Sequence, residues 1–408
     1  MNILMIPNTT SLDTYLAFGK FLKKKNIKYK ILIIHNNTKK IITKIKTKKN
    51  IIINTEPNYY KIYENNFLLK SILLFFYGLK YYCYSKNLLN KYKFDKIITA
   101  GDRETPLKLS LLKFAKKKNI KVYNYFPGII ASPKMLLISR KDKKNFYISK
   151  NSLTYKIFKN YTFSQKKYND IKILYYDKIH IYINKFFNIL PKNPWIPAGG
   201  SSDYFLAENQ IIKNHSLKLG CKKKIIVIGS LDQNYIQKSQ TQKFKKKSKI
   251  AILLTQWFEH NLENLNEHQA RNKLLCSLLH KYNLNNKYDV RLYLHPKQKI
   301  NDYKWVKNYN IKISKKKLAQ DFLNIDLILL SFSSSIVAWA IDYKIDVIIA
   351  NIFREKHPIF HNKNIIYTNN LIELNKALST KLQNIRKKKN IFITKNLFEE
   401  KFLEVLKL

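Results

Sequence analysis

The sequence predicts an α/β protein of two domains, each built on a parallel β-sheet. Its 408 residues, 45% of them hydrophobic, can bury a large core and exceed the usual size of one compact domain. Short apolar strands alternate with amphipathic helices, as in repeated strand-helix-strand units. A hydrophilic segment rich in Lys and Gln, from Leu231 to Lys249, separates two such series. We therefore expect an N-terminal domain over residues 1–240 and a C-terminal domain over residues 246–408.

The first series of elements extends to Ser230. Strands are expected at the apolar runs Asn2–Ile6, Lys28–His35, Lys96–Ala100, Ile120–Phe126 and Lys224–Ser230. Helices are expected at the amphipathic runs Thr14–Asn26, Phe67–Tyr84 and Leu107–Asn119. The aromatic and basic residues between Ile129 and Lys192 are assigned to helices, and the Pro- and Gly-rich run from Pro194 to Gly200 is assigned to a turn.

The second series repeats the same pattern. Strands are expected at Ile250–Gln256, Val290–Leu294, Asn310–Ser314, Leu327–Leu330 and Val347–Asn351. Helices are expected at Glu267–Tyr282 and Lys315–Leu323, and a further helix begins near Ile336. Strands that are buried on both faces and joined by helices form parallel sheets, so both domains should have one.

The formal net charge of +51 does not by itself indicate a nucleic-acid-binding protein. Only six of the 77 basic residues are Arg, and the abundance of Lys, Asn, Ile, Tyr and Phe is typical of an AT-rich genome. Proteins that read bases or clamp phosphates bidentately rely on Arg. We expect no nucleic-acid partner, whereas a weak peripheral attraction to an acidic inner leaflet is compatible with this charge.

The sequence also bears on compartment and metal content. No uncharged apolar run reaches about 18 residues, and the N-terminal residues resemble no secretory leader, so we expect a cytoplasmic protein. Three isolated Cys residues, Cys83, Cys221 and Cys276, form no CxxC pair, which argues against a disulfide framework or a zinc site. We expect no metal and no cofactor.

Polar residues follow several of the predicted strands, where parallel sheets bind ligands. Ser331, Ser333, Ser334 and Ser335 interrupt an apolar run directly after Leu330. Such serines could cap the helix that begins near Ile336, or their hydroxyls could bind a phosphate. His295, which ends another strand and is followed by Pro296, is either a structural hydrogen-bonding residue or a donor to a phosphate oxygen.

Acids at the strand ends of the first domain are candidates for a general base. Asp102 and Glu104 follow the strand that ends at Ala100, with Asp102 slightly favoured, and Asp13 is the fallback. Both favoured acids could instead complement the dipole of the helix starting near Pro106. In the second domain, Glu259 and Arg354 lie in segments that could contact a nucleotide base or ribose, or could be solvated loops.

Several segments together resemble bacterial glycosyltransferases of the GT-B fold: GGSSDYFLAENQ, KLGCKKKIIVIGS, the Leu-His-Pro at 294–296, and the serine turn before AWAIDYKIDVIIA. The likeness is to enzymes of surface-polysaccharide synthesis, among them polysialyltransferases and other users of CMP-activated sugars. It implies two Rossmann-like domains facing a cleft, an N-terminal acceptor domain and a C-terminal donor domain. It also implies that His295 and Pro296, with two of Ser333, Ser334 and Ser335, hold the nucleotide phosphate, and that an acid of the N-terminal domain serves as base.

A second segment is similar to UDP-N-acetylglucosamine 2-epimerases, in which a Gly-Asp turn precedes a helix and a Glu-Ala-Gly turn follows the next strand. Gly101 and Asp102 match the first turn. Phe126, Pro127 and Gly128 occupy the second turn and bring no carboxylate. The serine stretch also lacks the Gly-Gly and paired glutamates of those enzymes.

The sequence thus predicts a metal-independent glycosyltransferase that moves a sugar from a nucleotide donor to a glycan or lipid-linked acceptor. The resemblance favours a CMP-sugar, although the residues themselves do not choose between CMP, UDP and CDP. Two alternatives stay open: an epimerase of nucleotide sugars, and a non-enzymatic binder of polyanions or membrane surfaces.

Overall fold

A computed structural model of the protein describes residues 1–8, 11–35, 50–56, 67–125, 127–128, 146–148, 156, 165–168, 171–238, 247–254, 265–295, 298–331, 334–350, 360, 362–385 and 398–407. The chain forms two compact units. The first comprises residues 1–228 together with residues 399–408, and the second comprises residues 229–398. The units divide ahead of the segment that the sequence assigns to a linker.

A seven-stranded parallel sheet forms the centre of the first unit. Its strands are β1 (Asn2–Ile6), β2 (Lys28–His35), β3 (Ile51–Glu56), β4 (Lys96–Thr99), β5 (Lys121–Tyr125), β9 (Tyr204–Ala207) and β10 (Lys224–Val227). Their order across the sheet is β3-β2-β1-β4-β5-β9-β10. The central strands are fully buried, as in Ile3, Leu4 and Ile97, because helices cover both faces of a parallel sheet.

Helices connect these strands. They are α1 (Leu12–Lys24), α2 (Phe67–Tyr92), α3 (Pro106–Lys117), α4 (Lys178–Phe186) and α5 (Gln210–Lys218). Helix α1 illustrates why they form: Asp13 lies in the first turn and Lys23 and Lys24 in the last, so each charge complements the helix dipole. Helix α3 begins at Pro106, whose missing N–H is not needed in a first turn.

The region between residues 129 and 192 differs from the prediction of helices alone. It contains a three-stranded antiparallel sheet of β6 (Tyr147–Ile148), β7 (Gln165–Tyr168) and β8 (Ile171–Leu174), with β8 in the centre. Strand β7 has the sequence QKKY, which carries no apolar alternation, so its pairing with β8 rather than its own pattern makes it a strand. Helix α4, which lies in the described part of this region, is helical as predicted.

The second unit contains a six-stranded parallel sheet. Its strands are β11 (Lys249–Leu253), β12 (Asp289–Leu292), β13 (Lys312–Ile313), β14 (Leu327–Leu330), β15 (Asp346–Ala350) and β16 (Ile365–Thr368). Their order is β13-β12-β11-β14-β15-β16. The helices are α6 (Leu231–Lys238), α7 (Leu265–Tyr282), α8 (Leu318–Asp321), α9 (Ile336–Asp342) and α10 (Leu371–Gln383), with 3₁₀ helices at Ile300–Tyr309 and Phe322–Asn324.

Helix α6 occupies the beginning of the segment that the sequence assigns to a linker. The Ser230 hydroxyl accepts a hydrogen bond from the Gln233 N–H at 3.1 Å, which caps the helix. Leu231 and Ile236 are buried. A serine cap and two buried apolar residues thus accompany a helix here, although Lys and Gln dominate the stretch.

A last helix, α11 (Phe398–Val405), packs on the first unit. The Phe402 ring stacks on Phe18 of α1 with 3.8 Å between ring centroids, and both rings are fully buried. Lys96 Nζ donates to the Leu406 carbonyl at 2.6 Å. The first unit is thus completed by a segment that follows the second unit in the chain.

The two sheets share one topology. In each, the first strand lies in the middle, two strands follow on one side and the rest on the other, which is the doubly wound Rossmann order. The switch in direction falls between β1 and β4 in the first unit and between β11 and β14 in the second. The predicted α/β class with two Rossmann-like units is confirmed. None of the described helices, the 26-residue α2 included, combines the length and apolar character needed to cross a membrane.

Candidate functional site

The predicted phosphate-binding residues that the structure describes all lie at the carboxyl edge of the second unit's sheet. His295 follows β12, and Ser331, Ser334 and Ser335 follow β14. Strands β12 and β14 both pair with β11, so their ends lie about 10 Å apart at the usual strand spacing. A topological switch point in a parallel sheet is where ligands bind in this class of fold.

The turn at His295 is held by Gln298. The His295 N–H donates to Gln298 Oε1 at 2.9 Å, and the Gln298 N–H donates to the His295 carbonyl at 2.8 Å. Gln298 is itself buried, and its Nε2 donates to the Tyr303 hydroxyl at 2.6 Å. The backbone that carries the partly exposed imidazole is therefore fixed by a buried amide. Gln298 was not singled out from the sequence; its place three residues after His295, close behind a Pro in the sequence, is the signal that could have found it.

Ser331 is the most buried of the serines. Its side chain is 2% exposed, and its N–H donates to the Leu253 carbonyl at 3.2 Å. Within the described part of the chain its hydroxyl has no hydrogen-bond partner. Leaving a buried hydroxyl unsatisfied costs roughly 1–3 kcal/mol, and such groups are few in folded proteins.

Helix capping accounts poorly for Ser334 and Ser335. Ser335 is the residue before α9, but it has helical φ and ψ values of −58° and −21° and makes no side-chain capping bond. The Ser334 hydroxyl lies 3.5 Å from the Ile336 amide, at the limit of a hydrogen bond. Both side chains are half-buried. Capping of α9, which is one of the two explanations for these serines, is therefore weak at best in its hydrogen bonds.

Four of the predicted binding residues lie outside the described residues: Glu259, Pro296, Ser333 and Arg354. Their roles stay predictions.

In the first unit, Asp102 is part of the framework at the carboxyl edge. Its side chain is fully buried, and Oδ2 accepts from the Gly200 N–H at 3.0 Å and from the Ser202 hydroxyl at 2.5 Å. A side chain on Gly200 would collide with Asp102, since a Cβ there would lie 2.8 Å from the Asp102 Cγ. Next to it, Arg103 donates to the carbonyls of Pro194 and Ile196. Consecutive residues of the turn after β4 thus fasten the Pro- and Gly-rich segment 194–202.

Glu104 is the acid of the pair that solvent reaches. Its side chain is 32% exposed, and its Oε2 accepts from Lys108 Nζ at 2.5 Å. Lys108, one helical turn further on, is completely buried and also donates to the Ala100 carbonyl at 3.1 Å. Gly101, at φ +102°, leaves room for the Glu104 carboxylate, which a Cβ at that position would strike. The structure brings Asp102 and Glu104 to one turn, and the role of each as base stays a prediction.

Glu56 is an acid at this edge that the sequence analysis missed. It ends β3, is 6% exposed, and accepts from the Leu107 N–H in the first turn of α3 at 2.7 Å. Burial raises the pKa of its carboxyl to about 8, against the lowering effects of the Leu107 hydrogen bond and the Lys108 charge. Burial, and secondarily the charge of Glu104, also raises the pKa of Tyr15. The Glu104 charge thus acts on two buried groups, Glu56 and Tyr15, and contributes to raising the pKa of each.

Glu208 supplies a second overlooked carboxylate. It follows β9, is 5% exposed, and its Oε2 accepts from the Gly128 N–H at 3.2 Å, while its Oε1 lies 3.5 Å from the Tyr125 hydroxyl. The turn after β5, which has no acid of its own, is thus in contact with a carboxylate from the neighbouring strand. The fallback base Asp13 lies exposed in the first turn of α1.

The described His, Cys, Asp and Glu side chains form no cluster of three that could hold a metal ion. The three Cys residues are free thiols, of which Cys221 and Cys276 are buried.

No protein-family model and no curated protein sequence matches this chain, whereas solved structures do. A candidate UDP-N-acetylglucosamine 2-epimerase from Listeria monocytogenes has a TM-score of 0.52 and 9% identity, covering 100% of this chain and 95% of that one. UDP-N-acetylglucosamine 2-epimerase from Rickettsia bellii gives 0.50 and 14%, with coverages of 100% and 96%. CalG4, the calicheamicin glycosyltransferase, gives 0.51 and 8%, with coverages of 100% and 93%. The protein therefore has the two-unit Rossmann-like fold shared by GT-B glycosyltransferases and these epimerases.

Proposed function

We propose that the protein acts on nucleotide sugars, and that it is a glycosyltransferase which moves a sugar from a nucleotide donor to a glycan or lipid-linked acceptor. The observation that carries the proposal is that His295, Ser331, Ser334 and Ser335 follow the two strands that flank β11 at the carboxyl edge of the second unit's sheet. Among the described residues, the buried Ser331 hydroxyl has no hydrogen-bond partner. The structural neighbours that carry out glycosyl transfer or nucleotide-sugar epimerisation support the same class.

The chemistry assigned to these residues is the stabilisation of a leaving phosphate. When the glycosidic bond to the nucleotide breaks, negative charge develops on the phosphate oxygens. A protonated His295 and the serine hydroxyls can donate to those oxygens, and preorganised donors in a dry site are the largest single contribution to many catalysed reactions. The Gln298 clamp fixes the backbone of His295 before the donor binds, so little reorganisation is needed.

Transfer also requires a base for the acceptor hydroxyl. We assign this role to Glu104 or Asp102 of the first unit, and the geometry favours Glu104, because the Asp102 carboxylate is fully buried and already accepts from Gly200 and Ser202. Asp102 would then serve to hold the turn in place. A CMP-sugar is the donor that the sequence resemblance favours.

A nucleotide-sugar 2-epimerase is the second candidate. The Glu208 carboxylate contacts Gly128 in the turn where the sequence lacks an acid, so this turn is not without a carboxylate after all. The two candidates differ in a measurable way, since a transferase consumes the donor only with an acceptor, whereas an epimerase interconverts nucleotide sugars without one.

A thermal-shift screen tests the shared part of the proposal. The wild type is heated with CMP, CDP, UDP and their sugar conjugates, and a ligand at a hundredfold excess over its dissociation constant should add roughly 2.7 kcal/mol of stability. We expect one nucleotide to raise the midpoint of the wild type and to lose this effect in His295→Ala. His280→Ala is the matched control, because His280 lies in the last turn of α7, at the opposite end of the sheet.

If His295→Ala keeps the thermal shift, the nucleotide phosphate does not bind at this turn. If no nucleotide raises the midpoint of the wild type, the proposed function is wrong. With the stabilising nucleotide identified, donor turnover with and without added oligosaccharide acceptor separates transferase from epimerase.

A further inference from the structure

Helix α2 of the first unit exposes an apolar stripe. Ile72, Phe76 and Leu79 recur at the spacing of one helix face and are 45%, 61% and 43% exposed. The opposite face is buried, as at Leu74, Tyr81 and Leu88, and packs against α3. Single exposed apolar residues are ordinary, but several on one face of a helix mark an interaction surface.

The C-terminal end of α4 extends this stripe. Phe186 is 69% exposed, and its ring packs edge-on against Phe75 with 5.1 Å between centroids. Phe75 in turn lies 6.2 Å from the Phe76 ring. The two helices approach closely at Gly78, where a Cβ would come within 2.7 Å of Phe187. Ile72, Phe76, Leu79 and Phe186 therefore form one patch, here called the α2–α4 patch.

Only cations border this patch along the two helices. The 26 residues of α2 and the nine residues of α4 contain no Asp or Glu. Lys80 follows Leu79 directly, Lys185 precedes Phe186, and Lys86 continues the exposed face; all three are exposed. The one acid adjoining α4, its capping residue Asp177, is buried.

We infer that the α2–α4 patch docks this protein on the surface of an anionic phospholipid bilayer. Apolar side chains rimmed by lysines match such a surface in both respects, because the rings and aliphatic chains enter the acyl boundary while the ammonium groups meet lipid phosphates. A second copy of this chain fits less well. A two-fold contact would bring two copies of the same lysine-rimmed patch together, with no acid on either helix to offset the repulsion between their ammonium groups. This inference does not depend on the proposed function.

Vesicle flotation of the full chain tests the inference. Vesicles of phosphatidylcholine, with and without phosphatidylglycerol, are compared for the wild type and for the double variant Phe76→Asp and Phe186→Asp. We expect the wild type to bind the anionic vesicles and the double variant to bind them about tenfold or more weakly, because two large apolar groups no longer enter the bilayer. Ile372→Asp is the matched control: Ile372 is 82% exposed on the second unit, and its replacement should leave binding unchanged.

Three results would overturn the inference. The first is no binding of the wild type to either kind of vesicle. The second is equal binding by the double variant and Ile372→Asp, which would mean that lysines spread over the whole surface, and not this patch, attract the vesicles. The third is that the wild type sediments as a dimer without lipid while the double variant sediments as a monomer, which would mean that the patch binds a second copy of the chain. Unchanged circular dichroism of the double variant shows that it has folded.

Discussion

Replacement of Glu56 by Gln should remove a pH-dependent part of the stability of the first unit. Glu56 is 6% exposed, and its carboxyl accepts from the Leu107 N–H at 2.7 Å. Burial is the main cause that raises its pKa to about 8, so the folded protein holds this group as the neutral acid at neutral pH. Gln has nearly the same shape, carries no charge at any pH, and can keep the hydrogen bond from Leu107.

The sign of the effect follows from proton linkage. A carboxyl whose pKa is raised by folding binds its proton more tightly in the folded state. Its contribution is therefore fully present below about pH 4.5, where the unfolded chain is protonated too, and is lost as the pH rises toward about 8. The interval between these pKa values corresponds to at most roughly 5 kcal/mol. We expect the wild type to lose about 2–5 kcal/mol relative to Glu56→Gln between about pH 5 and about pH 9.

Urea unfolding at a series of pH values measures this difference. It is followed by the Trp fluorescence of the chain, to which the buried Trp195 of the same unit contributes. Glu404→Gln, at an exposed carboxyl on α11, controls for the loss of one negative charge. If the free-energy difference between wild type and Glu56→Gln is the same at every pH, Glu56 does not hold a proton in the folded protein and the reasoning from its burial is wrong.

Two further predictions concern stability. Asp321 forms a buried ion pair of 2.5 Å with Lys249, and both side chains are 1% exposed. Asp321→Asn should therefore lower the free energy of unfolding by roughly 3–5 kcal/mol in denaturant unfolding, because the ammonium group is left unpaired. Asp346→Asn, at a partly exposed ion pair, should lower it by less than about 1 kcal/mol, and equal losses in the two variants would contradict this reasoning. Phe402→Ala should destabilise the first unit by about 3–5 kcal/mol, since it empties a fully buried site, whereas exposed Lys401→Ala should be nearly neutral in the same calorimetric measurement. A neutral Phe402→Ala would show that α11 does not contribute to the core.

The parallel sheets could be predicted because their strands are apolar on both faces and flanked by amphipathic helices. Strands β1, β4, β11 and β14 all fall where the sequence places them. Strand β7 could not be predicted, because its residues become a strand only through pairing with β8. The same holds for the Lys- and Gln-rich residues of α6, where two buried apolar side chains and a serine cap outweigh composition.

The candidate site was predictable in place but not in its contacts. Strand ends located His295 and the serine turn, since the carboxyl edge of a parallel sheet follows from chain order alone. The partners of Asp102 were not accessible, because Gly200 and Ser202 lie 98 and 100 residues further along the chain. Glu56 was missed for a similar reason: what makes it notable is burial against α3, which begins 50 residues later and which no local pattern reveals.

The position of α11 has a consequence for the order in which the protein is made. The first unit begins at residue 1, yet it also buries the Phe402 ring and binds the Leu406 carbonyl. Both residues follow the whole of the second unit in the sequence. During synthesis the second unit, which is continuous in sequence, can finish folding while the surface of Phe18 is still uncovered. Domains usually fold in the order in which they emerge from the ribosome. Here the unit that emerges first is completed last, and nascent chains stalled between the two units would carry an exposed aromatic surface that chaperones recognise.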